Sequence, residues 1–120
     1  MENEFIPYPL ALRLKAIGFD EPCLAYFDAE KLFKFPGTTM CNRNFLDLLT
    51  VTTPLYQQAF RWFREKYDLG HMINGIGHES FIMNIAGVLH IFNAFAFKTY
   101  EEAELACLEK LIELVEQKEK

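Results

Sequence analysis

Residues 53–70, with the sequence TPLYQQAFRWFREKYDLG, carry the clearest helical periodicity in the chain. Large apolar residues recur there at intervals of three and four positions, which is the pattern of an amphipathic α-helix. We expect Thr53 to cap its first turn, Pro54 to occupy a position that needs no N–H donor, and Gly70 to end it. A helix with this many rings must pack on equally apolar elements. Its apolar side consists of Tyr56, Phe60, Phe63 and Tyr67, with Leu55, Ala59 and Trp62 beside them.

Short apolar segments on both sides of this helix predict β-strands. Residues 23–27 and 32–35 enclose a polar loop, which predicts a β-hairpin. After residue 70, glycines separate apolar segments of strand length, and this spacing favours an antiparallel meander. Residues 45–49 fit a helical turn, and residues 50–52 fit extended chain that leads into the central helix.

Residues 81–97 have two interpretations. A helix would fit because Phe81, Ile85 and Leu89 repeat at helical spacing. We favour strands because Gly87 interrupts the run and because β-branched and aromatic residues are frequent in it.

Two further helices are predicted near the ends of the sequence. A short one begins at Pro9 and ends at Gly18. A longer one begins after Thr99, where Thr99 and Glu102 have the spacing of a capping box. Its inward face consists of Ala103, Cys107, Leu108, Leu111, Ile112 and Val115. The sequence therefore predicts an α+β fold, in which an antiparallel sheet of two hairpin or meander segments is packed by a central and a C-terminal amphipathic helix plus a short N-terminal helix.

Length and composition narrow the class of protein. The 120 residues predict a single domain over positions 1–120, and a hydrophobic fraction of 51% with 12 Phe residues excludes disorder. The net charge of -5 and the lack of a dense basic cluster predict no nucleic-acid binding. The apolar run 81–97 is shorter than the ~20 residues of a membrane span and the N-terminus lacks a secretory signal, so we expect no membrane association and a cytoplasmic location.

Reactive residue types do not form recognisable motifs. The three cysteines are odd in number and contain no C-x-x-C pair, which predicts free, mostly buried thiols. His71, His78 and His90 lack the spacing of metal ligands, so no metal site is predicted. No nucleophile elbow and no phosphate-binding glycine loop is present, so no cofactor and no catalytic residue is predicted. An enzyme built from scattered residues is the least favoured of the functional classes.

Four segments of the sequence together carry a resemblance to a known protein family: residues 4–8 (EFIPY), 18–23 (GFDEPC), 58–66 (QAFRWFREK) and 99–104 (TYEEAE). They resemble a family of small uncharacterised proteins encoded by gut Bacteroides-type bacteria and by their phages and mobile elements. The resemblance covers both ends of the chain and the central helix. It implies a bacterial or phage setting and a cytoplasmic protein, and it supplies no catalytic residues.

The favoured function is a non-enzymatic protein-interaction or accessory factor. Gln57, Arg61 and Arg64 lie in line on the polar side of the central helix, and two arginines one turn apart can bind carboxylates of a partner through paired hydrogen bonds. An ordinary solvated helix face is the alternative explanation of the same residues.

Two other kinds of binding are considered. A small-ligand module would have an aromatic pocket near Trp62, although a filled aromatic core explains the same residues. Self-association as a dimer, or association with an unidentified protein, would cover the second apolar side of the late strands. The candidate dimer face consists of Val88, His90 and Phe92.

Overall fold

The structure is a computed structural model that describes residues 2–73, 80–84, 87–92 and 99–118, with the backbone alone for residues 72, 80–84 and 87–92. The chain divides into two compact units, Met1–Tyr56 and Gln57–Lys120. The fold is α+β as predicted, because each unit combines a three-stranded antiparallel sheet with helix. The assignment of all 120 residues to a single domain stays a prediction.

The first unit has one α-helix and one small sheet. The strands lie in the order β2-β1-β3, and Tyr26 in the middle strand is opposite Lys34 on one side and Thr52 on the other. Helix α1 packs on β3. The elements are α1 (Tyr8–Ala16), β1 (Ala25–Phe27), β2 (Phe33–Lys34) and β3 (Val51–Thr53), with 3-10 turns at Glu2–Glu4 and Asn42–Asn44.

The predicted hairpin is confirmed, and β3 adds a strand that the sequence showed only as extended chain. Asp28 closes the hairpin loop by accepting the N–H groups of Glu30 (2.9 Å) and Leu32 (3.0 Å) on one carboxylate oxygen. Strand β3 gains its hydrogen bonds from β1, which is 24 or more residues away in sequence. A strand of three residues has no periodicity of its own, so its pairing could not be seen locally.

Helix α1 ends as predicted. Gly18 has a positive φ of 98°, which glycine adopts without steric cost. Its N–H donates to the Lys15 carbonyl (3.1 Å), and the Phe19 N–H donates to the Leu14 carbonyl (3.0 Å). These two bonds form a Schellman motif, in which the buried Phe19 directly follows the glycine.

The second unit contains most of α2 and the late strands. The strands lie in the order β4-β5-β6, all antiparallel, with a bulge between Ile82 and Met83. The strand interpretation of residues 81–97 is confirmed for the part that lies in β5 and β6, and residues 85–86 and 93–97 lie outside the described residues. The elements are α2 (Tyr56–Tyr67), β4 (Gly70–Ile73), β5 (Ser80–Asn84), β6 (Gly87–Phe92) and α3 (Tyr100–Lys118).

The predicted ends of the central helix are wrong. Helix α2 begins at Tyr56, because Thr53 belongs to β3 and its hydroxyl donates to the Ile6 carbonyl. At the other end, Gly70 is the first residue of β4, and Asp68 takes the left-handed conformation with φ 59°. Asp is one of the few residues besides Gly that adopt this conformation readily, so the helix stops two residues earlier than expected.

The inward helix faces are confirmed. Ala59, Phe60, Trp62 and Phe63 are buried on α2, while the rings of Tyr56 and Tyr67 are partly exposed. Helix α3 packs against β4 and β5 and buries all six residues of its predicted face. Its first turn is capped as predicted, since the Glu102 N–H donates to the Thr99 hydroxyl (3.1 Å).

Candidate functional site

The most unusual surface feature of the first unit is the leucine loop, residues 46–49, which lies between the turn Asn42–Asn44 and β3. Leu46 is 98% exposed, Leu48 85% and Leu49 53%. Single exposed apolar residues are normal on a protein surface, but three large ones within four positions form a patch that has a cost in water. Residues 45–49 form no helical turn, so that prediction is wrong.

Two side chains of α1 hold the backbone of the leucine loop. The Lys15 ammonium donates to the carbonyl oxygens of Asp47 (3.0 Å) and Thr50 (2.9 Å). The Tyr8 hydroxyl donates to the Leu49 carbonyl (3.1 Å). Tyr8 and Lys15 are seven residues apart and therefore lie on one side of the helix.

Asp47 closes the leucine loop from within. Its carboxylate accepts the Thr50 N–H (2.9 Å) and the Thr50 hydroxyl (2.7 Å) on the same oxygen. The hydrogen bond from the Thr50 hydroxyl is the main reason why the pKa of Asp47 lies below its ordinary value. At neutral pH the carboxylate is ionised and the loop is fixed at both ends, which leaves the leucine side chains as its free part.

An open cleft of about 360 Å³ lies beside the base of this loop. Arg43 and Asp20 form an ion pair on its rim, with the Arg43 N–H on one carboxylate oxygen (2.8 Å) and Nη1 on the other (2.9 Å). Partial burial acts to raise the pKa of Asp20, but the hydrogen bonds from Arg43 outweigh it and lower the pKa. The cleft is lined by Lys15, Gly18, Phe19, Asp20, Asn42 and Arg43.

Asn42 fixes the turn between the cleft and the loop. Its side chain is buried, with Nδ2 donating to the Phe19 carbonyl (2.8 Å) and Oδ1 accepting the Thr52 N–H (2.9 Å). One side chain therefore joins the end of α1 to β3. Asn44 completes the turn by accepting the Cys41 N–H (2.7 Å).

The cysteines are free and buried, as predicted. Burial raises the pKa of Cys23 and of Cys107 to about 12, and both thiols are therefore protonated at neutral pH. A protonated, inaccessible thiol is a poor nucleophile and a poor metal ligand.

Of the three histidines, the structure describes the side chain of His71 alone. The His71 ring stacks on Phe60, with the centroids 3.7 Å apart, and its Nδ1 is buried without a hydrogen-bond partner among the described residues. Within the described part of the chain, no group of three His, Cys, Asp or Glu residues could hold a metal ion. His78 and the side chain of His90 lie outside the described residues.

His71 makes the stability of the protein sensitive to acid. Burial, with a smaller contribution from the nearby Arg64, lowers its pKa to about 4. The unfolded chain has an ordinary pKa of about 6.5, so it binds the proton between pH 6.5 and 4 while the folded state does not. We expect stability to fall over this window on acidification. His71→Phe keeps the stacked ring, and urea titrations at several pH values should show a smaller fall than in the wild type. An equal fall in both proteins would contradict the assignment.

The predicted partner-binding residues of α2 are all exposed. Gln57, Arg61 and Arg64 lie on its outer side, where the Arg61 Nε is 3.8 Å from a Glu65 carboxylate oxygen. An exposed pair of this length contributes little to stability, so Arg61 remains available to a partner's carboxylate. Binding by this face stays a prediction.

The structure describes the surroundings of Trp62, where a pocket is predicted, more fully than the predicted dimer face. The Trp62 ring contacts the rings of Phe63 (5.0 Å between centroids) and Tyr67 (5.4 Å), and the Lys66 ammonium lies 5.2 Å from its centroid. Its described neighbours thus cover much of the ring, and a pocket beside it stays a prediction. Val88, His90 and Phe92 belong to β6, but their side chains lie outside the described residues.

Comparison with protein-family models, with curated proteins and with solved structures found no match to this chain. Among the described residues, no helix has the length and apolar character to cross a membrane. The resemblance based on residues 4–8, 18–23, 58–66 and 99–104 stays a prediction.

Proposed function

We propose that this protein is a non-enzymatic protein-interaction module and that the leucine loop is its main partner-binding element. The observation that carries the proposal is the contrast between exposed side chains and a fixed backbone: Leu46 and Leu48 are almost fully exposed on a loop that Lys15 and Tyr8 hold in place. Burying one leucine against a partner contributes about 1.5–3 kcal/mol. A loop that is already ordered loses little further entropy on binding.

The apolar area of the leucine loop indicates what kind of surface its partner must offer. Three leucines offer on the order of a few hundred Å² of apolar surface. A stable interface buries about 800 Å² on each partner, so two leucine loops in contact would be too small to hold a dimer. A concave apolar pocket on another protein fits better, with the leucines as the central anchors and the surrounding surface supplying the remaining area.

The setting of this proposal is the cytoplasm of a bacterium or of a phage-infected cell. Free, buried cysteines fit a reducing compartment, and the resemblance noted above implies the same setting. We also propose an additional dimer contact through Val88, His90 and Phe92 of β6, which the role of the leucine loop does not require.

Site-specific photo-crosslinking in the producing cells tests the proposal. With a benzophenone amino acid at position 48 we expect a discrete covalent adduct to one other protein. The matched control is the same amino acid at position 38, where Thr38 is also exposed and belongs to the same unit. Adding Leu46→Asp to the position-48 protein should abolish the adduct and change stability by less than ~0.5 kcal/mol, because Leu46 makes few contacts.

The result that would contradict the proposal is equally specific. Adducts of the same identity and yield at positions 48 and 38 would mean that the leucines select no partner. An adduct at position 48 that survives Leu46→Asp unchanged would have the same meaning.

A further inference from the structure

The cleft at the end of α1 has the size and the polar groups of a small-ligand site. Its volume of about 360 Å³ falls within the range of ligand pockets, which begins near ~300 Å³. Its inner residues, Phe19 and Asn42, are buried and fixed, while Lys15, Asp20 and Arg43 bring charges to the rim. The arrangement of hydrogen bonds decides which ligand chemistry it favours.

The carboxylate on the rim is already paired. Both oxygens of Asp20 accept hydrogen bonds from Arg43, so the negative charge of Asp20 is paired with the guanidinium, although each oxygen can accept a further bond. The Arg43 guanidinium uses only Nη1 in this pair, and its side chain is 69% exposed, which leaves several of its five donors available.

The second cation is not neutralised by any described carboxylate. The Lys15 ammonium donates to two backbone carbonyls, of Asp47 and Thr50, and has three donors in total. One N–H therefore remains for a ligand. The end of α1 acts against an anion, because the last carbonyls of a helix carry partial negative charge. The N–H groups of Ile17, Gly18 and Phe19 bond to the carbonyls of residues 13–15 and reduce this effect.

We propose that this cleft binds a small oxyanion, a carboxylate or phosphate group, through the free donors of Lys15 and Arg43. Two cationic groups line one open volume together with one carboxylate, Asp20, which is paired with Arg43, and cationic donors of this kind form charge-assisted hydrogen bonds with oxyanions. A divalent cation or an ammonium compound would meet two positive charges and, among the described lining residues, one carboxylate that is already paired with Arg43.

Binding at the cleft is coupled to the leucine loop through Lys15. The same ammonium that would contact the ligand holds the Asp47 and Thr50 carbonyls. The ligand accepts the third N–H of the Lys15 ammonium, which the loop does not use. It therefore orders the Lys15 side chain without breaking the two hydrogen bonds to the loop carbonyls. The ligand and an ordered loop therefore stabilise each other, and the coupling is reciprocal. Neither the binding nor the coupling requires that the loop have a protein partner.

Amide correlation NMR of the full chain tests both parts. Inorganic phosphate and succinate are titrated separately against sodium chloride at matched ionic strength. We expect saturable shifts at the amides of Gly18 and Arg43 with at least one of the two anions, and slower hydrogen exchange of the Thr50 amide when it is bound. Saturation by phosphate alone or by succinate alone identifies which of the two oxyanions the cleft takes.

Three variants make the test specific. Arg43→Gln should weaken the anion about tenfold or more. Lys15→Met should weaken it similarly and also remove the effect on the Thr50 amide. Lys34→Gln, an exposed lysine of the same unit, should leave the affinity unchanged. Leu48→Asp, which removes the proposed partner contact, should also leave the anion affinity unchanged. A failure of the anion site can therefore be distinguished from a failure of the interaction proposal.

Several outcomes would overturn the inference. Shifts that rise linearly without saturation, or that chloride reproduces, would mean that no site exists. Equal affinity in the wild type and Arg43→Gln, confirmed as folded by circular dichroism, would mean that the rim does not bind the anion. Saturable binding with unchanged Thr50 exchange would overturn the coupling to the loop.

Discussion

Replacing Trp62 with Ala is expected to lower the free energy of unfolding by about 3–5 kcal/mol, because it removes the largest side chain of the buried α2 face. Trp62 is 6% exposed and contacts Phe63 and Tyr67 edge-on. Phe63 is fully buried, which limits how far it can move into the space that the indole leaves. The resulting cavity adds to the lost transfer free energy.

Urea denaturation followed by circular dichroism measures this loss, since the variant has no tryptophan left to report by fluorescence. Arg61→Ala is the matched control, because Arg61 precedes Trp62 on α2 and is exposed. We expect the control to stay within ~0.5 kcal/mol of the wild type. A loss for Trp62→Ala of the same small size would mean that the ring is not packed in the core.

Replacing Asn42 with Ala is the other substitution for which we expect a large loss of stability. The substitution leaves the Phe19 carbonyl and the Thr52 N–H without their side-chain partner in a buried region. Each buried group that loses its partner costs about 1–3 kcal/mol, and here two are lost together. The change also frees the Thr52 amide, so its hydrogen exchange should accelerate more than the global loss of stability explains.

Asn44→Ala provides the control for this prediction. Asn44 lies in the same turn but is exposed, and its side chain caps one N–H, that of Cys41. Loss of such a cap costs about 1 kcal/mol. If Asn42→Ala proved no more destabilising than Asn44→Ala, the buried bridge would contribute nothing beyond an ordinary surface cap.

The parts of the fold that the sequence predicts are those set by local periodicity. The inward face of α3 was predicted residue by residue, because 19 helical residues give the apolar spacing many repeats. The sequence predicts the end of α1 at Gly18 because this glycine occurs where the apolar pattern stops. Strands β5 and β6 were favoured over a helix through glycine position and residue type, which also act locally.

The parts that sequence reasoning missed depend on distant partners. Thr53 has the residue type of a helix cap, but its backbone pairs with β1 and its hydroxyl bonds to Ile6. The leucine loop fits a helical turn in isolation, and its actual shape depends on Lys15 and Tyr8, which are 32 and 41 positions from the carbonyls they bind. The only local signal in residues 46–49 is the group of three leucines with one polar residue among them. This pattern fits a buried helical turn as well as an exposed loop.

The short edge strand β2 limits how the protein can associate with other copies of itself at high concentration. It is two residues long, Lys34 places an exposed charge on it, and Pro36 shortly after it has no N–H to offer. A strand from a second molecule would gain few backbone hydrogen bonds there, and open edges of this kind resist growth into fibrils. The β2 edge therefore favours reversible contacts over strand addition, in a unit that also exposes three leucines to water.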